Sequence, residues 1–172
     1  MADYVVEPKS RKELRHLANL LRRRLGLEQA LWIPIVEILD VLGEVFSDFS
    51  FEIVPDSELP PGIHAETNIK TGHITIRESV YERACDGEGR DRMTIAHESA
   101  HFFTVCYCGF RLQRNFTRKV IPAFIDPEWQ AKCFAGEFMI SSQLTKNMPT
   151  REIVKKCGVS WDAAEYQFSH RE

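Results

Sequence analysis

The sequence predicts a mostly helical α+β domain. A small three-stranded sheet packs on the helix carrying His97 and His101, and short helices follow at the C-terminal end. Three observations point there. Leu14, Leu17, Leu21 and Leu25 recur at the three- and four-residue spacing of one helix face. Three short β-prone runs separated by Pro and Gly lie within residues 49–76. Longer helical stretches then occupy about 90–105 and 128–140.

Taken in order, residues 8–25 form the first amphipathic helix. Ser10 caps it, Glu13 stands at the capping-box position and Gly26 ends it. A second helix over 34–42 presents Ile35, Ile38, Leu39 and Leu42, with Gly43 as its stop. Residues 49–54 alternate as a strand. After the loop of Pro55, Pro60, Pro61 and Gly62, two further strands (63–69 and 73–76) are joined by a turn at Thr71-Gly72. A short helix covers 78–84. The GxG at Gly87–Gly89 has Arg92 where a dinucleotide fingerprint needs its third glycine, so it is read as a turn. A helix over 90–105 is limited by Gly109, and a basic irregular segment covers 111–120. Asp126 caps, and Pro127 opens, a helix over 128–140 that buries Ala131, Phe134, Ala135 and Phe138. Two short helices then flank Gly158, the last capped by Ser160. Residues 1–145 are expected to form the main domain. Residues 146–172 form a C-terminal helical extension on the same core.

Composition narrows the function classes. With 172 residues, 44% of them hydrophobic, the chain can bury one core. A net charge of −3 argues against a general nucleic-acid binder. Lys9, Arg11, Lys12, Arg15, Arg22, Arg23 and Arg24 concentrate positive charge near the start. They read as a solvated helix face, with a docking strip for an acidic partner as the sharper alternative. There is no basic start followed by an apolar h-region, and no apolar stretch is long enough to span a bilayer, so a cytoplasmic location without membrane contact is expected. Five irregularly spaced cysteines fit free thiols in a reducing compartment, and Cys106-Tyr-Cys108 reads as packing.

The chemistry centres on His97-Glu98-Ser99-Ala100-His101. Four-residue spacing puts both imidazoles on one helix face, where they can share a metal. Glu98 sits beside the first histidine and can serve as general base for a water in the open coordination position of a catalytic zinc. Met93, Ile95, Ala96, Phe102 and Phe103 make the helix apolar on most sides, and buried polar groups there need a partner such as a metal. A third ligand must come from elsewhere. The extended HExxHxxGxxH pattern fails at Thr104 and Tyr107. By position alone, Glu128, Asp126, Glu137 and His73 all remain candidates. Oxyanion donors could be His64, His73, Tyr107 or Arg114.

Two segments carry a family resemblance. Gly89-Arg-Asp-Arg-Met-Thr-Ile-Ala-His-Glu-Ser-Ala-His101 resembles the active-site helix of the ImmA/IrrE family of metallo-endopeptidases, with its RFTLAHELGH pattern. Asp126-Pro-Glu-Trp-Gln-Ala-Lys-Cys-Phe-Ala-Gly-Glu-Phe-Met139 resembles that family's second motif, E-x-x-A-x-x-F-A. The resemblance spans about residues 60–145 and implies a zincin-like domain holding one Zn2+. His97, His101 and Glu128 would be its ligands, and Glu98 the catalytic base. It also implies cleavage of a helix-turn-helix transcriptional repressor, relieving repression of a mobile element or of stress genes. The chain matches the short form without the additional sensor domain. Ser99-Ala100 stands for the usual Leu-Gly, Met93 for Phe, and Phe138-Met139-Ile140-Ser141 for a Leu-Leu-Met-Pro end. These departures touch packing more than ligands.

Residues 151–168 have the shape of a helix-turn-helix. Trp161, Asp162 and Glu165 put bulk and acid where phosphate contact needs base, so DNA binding is not expected and the segment reads as a packing element. The alternative function is a non-catalytic zinc-containing regulator that grips the repressor or DNA.

Overall fold

The computed structural model describes residues 4–107, 113–114 and 121–170. After β1 (Tyr4–Val5) come α1 (Arg11–Arg24) and α2 (Ile35–Val45). Three strands follow: β2 (Ser50–Val54), β3 (Ala65–Asn68) and β4 (His73–Arg77). α3 (Glu78–Cys85) precedes α4 (Gly89–His101), which continues directly as a π-helical segment, Phe102–Tyr107. β5 (Gln113–Arg114) pairs antiparallel with β1. A 3-10 turn (Ala123–Ile125) leads to α5 (Pro127–Met139), then α6 (Thr150–Cys157) and α7 (Trp161–Ser169). The mostly helical α+β class is thus the observed one.

The sheet has the order β2-β4-β3. β2 runs parallel to β4 and pairs Ser50 with His73; β3 runs antiparallel to β4 and pairs Thr67 with Ile74. Alternation along β4 decides which face goes inside. Ile74 and Ile76 are fully buried and Ala65 is nearly so, while His73, Thr75 and Arg77 stay partly exposed. α4 lies on this buried side and also packs against α2, α3 and α5. Small residues on the facing helices, Ala96 and Ala100 on α4 with Ala131 and Ala135 on α5, are all buried and let the two backbones approach closely.

Helix ends follow their local chemistry. Ser10 and Glu13 form a reciprocal capping box on α1. Asp126 accepts from the Glu128 amide, with Pro127 in the first turn of α5. Ser160 caps α7, and Gly158 takes the left-handed conformation after α6. One expected stop is wrong: Gly43 lies inside α2, which ends at Val45 where Phe46 turns extended. Leu42 is buried and keeps the last turn docked, so packing overrides the weak helix propensity of glycine.

The basic strip at the start of the chain is partly internal. Arg22 is only 1% exposed and donates to the carbonyls of Phe138 and Ala30. Arg11 and Arg15 both donate to the buried Glu137 carboxylate, at 3.0 and 2.9 Å. These three arginines tie α1 to α5 and to the loop before α2, so the picture of a wholly solvated or docking face is corrected for them. Cys133 and Cys157 are buried free thiols and Cys85 is exposed. The side chains of Cys106 and Cys108 lie outside the described residues.

Ile153, Cys157, Val159 and Ala164 from the C-terminal helices belong to the same buried cluster as α2, α4 and α5. Arg92 of α4 fastens this junction. It is buried, donates to the carbonyls of Gly158 and Ile33, and lies over the Trp32 ring at 3.8 Å. Among the described residues no helix is long and apolar enough to cross a membrane.

Candidate metal centre

The histidines of α4 and the first turn of α5 meet at one point. His97 Nε2 and His101 Nε2 are 3.1 Å apart, and Glu128 Oε2 lies 3.3 Å from the first and 3.6 Å from the second. The helical spacing of four aligns the two imidazoles, whose rings stand edge to face. The Asp126 cap fixes the start of α5 and with it the position of Glu128, the second residue of that helix.

These spacings suit a small tetrahedral cation. Two bonds of about 2.0–2.1 Å at a tetrahedral angle place donor atoms roughly 3.3 Å apart. The donor set, two imidazoles and one carboxylate, is that of an open three-ligand site. Among the described residues it is the group that could hold a metal ion. His101 is almost fully enclosed, whereas the His97 and Glu128 side chains are 27% and 43% exposed, so the site is closed beneath and open on one side. The imidazoles, His101 foremost, hold the Glu128 carboxyl well below the usual carboxylate range. His101 Nδ1 is buried without a hydrogen-bond partner among the described residues, which leaves Nε2 as that ring's bonding atom.

Glu98 points to a different neighbour. Thr67 Oγ1 lies 2.7 Å from Glu98 Oε2 and 3.0 Å from the Glu98 carbonyl oxygen, and its one proton can serve either. Thr67 sits on β3, an edge strand of the sheet. Burial pushes the Glu98 carboxyl upward, opposed by the Thr67 hydroxyl and by the nearby imidazoles. A desolvated carboxyl beside a metal-type ligand set can hold and move a proton.

No protein-family model matches this sequence, and no curated protein matches it. A solved structure does: a Mycobacterium tuberculosis transcriptional regulator superposes with a TM-score of 0.61 at 14% identity, covering 92% of this chain and 46% of that one. The chain therefore spans about half the length of that protein, and the likeness is one of fold.

The other candidate ligands are engaged elsewhere. Asp126 caps α5. Glu137 is held by Arg11 and Arg15 at the far end of that helix. His73 lies on the outer face of the sheet, with Nδ1 2.7 Å from Ser50 Oγ and Nε2 3.2 Å from Glu52 Oε1. Of the suggested oxyanion donors, His64 lies beside Arg90, and the side chains of Tyr107 and Arg114 fall outside the described residues. Thr67 escaped sequence reasoning because a threonine in a strand is ordinary and its contact joins residues 31 positions apart. The enclosing role of α7 was likewise invisible. A groove of about 830 Å³ runs from His97 between α4, α5 and α7.

Proposed function

We propose that this protein is a zinc-dependent endopeptidase of the cytoplasm that cleaves a helix-turn-helix transcriptional repressor and so relieves repression. The observation that carries the reading is the convergence of His97 Nε2, His101 Nε2 and Glu128 Oε2 within 4.8 Å, beside a half-buried glutamate, Glu98, that contributes no ligand atom to that group. His97, His101 and Glu128 would hold the ion. When bound, zinc supplies Lewis acidity and lowers the pKa of a water in its open position. Glu98 takes the proton from the attacking water and hands it to the departing amine. Thr67 keeps the Glu98 carboxylate aimed, and the β3 edge can hydrogen-bond an extended substrate strand beside it. The repressor as substrate follows from the resemblance of the two motifs to the ImmA/IrrE family. The C-terminal helices serve packing rather than DNA contact: Ile153, Cys157, Val159 and Ala164 of this region join the common core.

Glu98→Gln tests this. The variant should keep one zinc per chain and lose cleavage of the repressor, read as intact repressor on a gel and continued repression in cells. Unchanged derepression would show that the protein acts by gripping its partner and would end the peptidase reading.

A further inference from the structure

The groove beside His97 extends away from the zinc site and shares that one ligand residue with it. Its floor and sides are built by Met93, His97, Ala135, Gly136, Ala163 and Tyr166. Much more of its lining is apolar than polar. The small residues are what open it: Ala135 and Gly136 withhold side chains where α5 faces α7, and Ala163 does the same from the other wall.

The charges around the groove are balanced. Arg90 and Lys132 come from α4 and α5, Asp162 and Glu165 from α7. Lys132 Nζ is further engaged over the Tyr166 ring, at 5.3 Å. A charged guest would gain from one pair and be repelled by the other, and it would leave water for an apolar floor. An uncharged, bulky guest meets neither objection.

We propose that this groove receives a large apolar or aromatic side chain of the substrate, next to the bond that is cut, and so sets side-chain preference. Two features tie it to a peptide. The groove begins at a ligand histidine, so a residue seated in it stands beside the reacting centre. Glu98, next to that histidine, contacts Thr67 of β3, an edge strand able to hold extended backbone. In an extended chain side chains alternate, and one of them can drop into the groove while the backbone continues along the site. The inference rests on the zinc-site reading and adds the chemistry of the substrate.

The test needs no protein substrate. Acetohydroxamate binds zinc through its head alone; 4-phenylbutanohydroxamate adds an uncharged aromatic tail, and glutarate monohydroxamate an anionic one. Their dissociation constants on the zinc-loaded full chain are measured by calorimetry. The expected result is that the phenyl tail binds at least about tenfold tighter than the methyl, and the anionic tail gains little. Thr94→Phe, which fills the groove from α4, should bring the phenyl-to-methyl ratio close to one. Glu165→Phe, an exposed change narrowing the opposite wall, should also reduce it. A phenyl tail with no advantage, an equal gain for the anionic tail, or a ratio unmoved by both substitutions overturns the groove assignment while leaving the zinc site standing. No binding of acetohydroxamate to the zinc-loaded chain overturns the site reading and the groove together.

Discussion

The Thr67 hydroxyl lies 2.7 Å from one carboxylate oxygen of Glu98, joining an edge strand of the sheet to the helix that carries both candidate ligand histidines. One oxygen of the carboxylate is thereby held, and the other is left to act. Thr67→Val removes this tether at nearly constant volume. It should lower turnover about tenfold, a fraction of what a general base contributes, with zinc content unchanged. Thr67→Ser keeps the hydroxyl and should keep most of the activity. Equal losses in the two variants would mean that the threonine serves packing alone.

Metal content is the most direct measurement. Purified protein reconstituted with zinc should hold one ion per chain. Glu128→Gln and His101→Ala should each weaken zinc at least about hundredfold, more than the loss of a group that only supports a ligand. Asp126→Ala should weaken it less, because it removes a helix cap and not a donor. Elemental analysis after dialysis against a weak chelator separates these outcomes.

Glu137 holds two arginines in a nearly closed space. Glu137→Ala leaves Arg11 and Arg15 without their counter-charge and should lower unfolding free energy by about 3 kcal/mol. Urea denaturation is the readout. A triple variant that also replaces Arg11 and Arg15 with Met should recover part of the loss. A loss below about 1 kcal/mol for Glu137→Ala would show that the cluster is well hydrated.

Gly158 has φ +61°, and a methyl group on it would run into the Trp32 ring. Gly158→Ala therefore combines backbone strain with a clash, and about 2 kcal/mol of destabilisation is expected. Trp32 should also leave its place under Arg92, shifting tryptophan emission. Unchanged emission and stability would contradict the observed packing.

Burial pushes the Cys157 and Cys133 thiols up to about 11 from the ordinary 9.0. A group whose folded pKa is raised supports the fold fully below the unfolded value. That support is lost as pH rises, here between about 9 and about 11. Each thiol should contribute up to about 2 kcal/mol of alkaline destabilisation. In Cys157→Ala the decline over this window should be shallower than in the wild type; an equally steep one would assign it to other groups.

Much of this was legible in the chain itself. Ser10, Glu13, Asp126, Pro127 and Ser160 mark helix starts through contacts within three residues, so their message is local. His97 and His101 are legible for the same reason, since one helical turn brings them together. Glu128 needed the likeness of two motifs, because position alone left Asp126, Glu137 and His73 open. The buried roles of Arg22, Arg92 and Glu137 could not be read. Each depends on partners far away in sequence, and a charged residue carries no local sign that it will be enclosed. Gly43 misled for the opposite reason: its local signal is a stop, and Leu42 packing overrides it.

The backbone of Val159 and Ser160 presses so closely on Gly89 that no side chain fits at the first position of α4. The last helices are therefore a keystone rather than a tail. Shortening the protein from that end would loosen the very segment on which the two imidazoles ride.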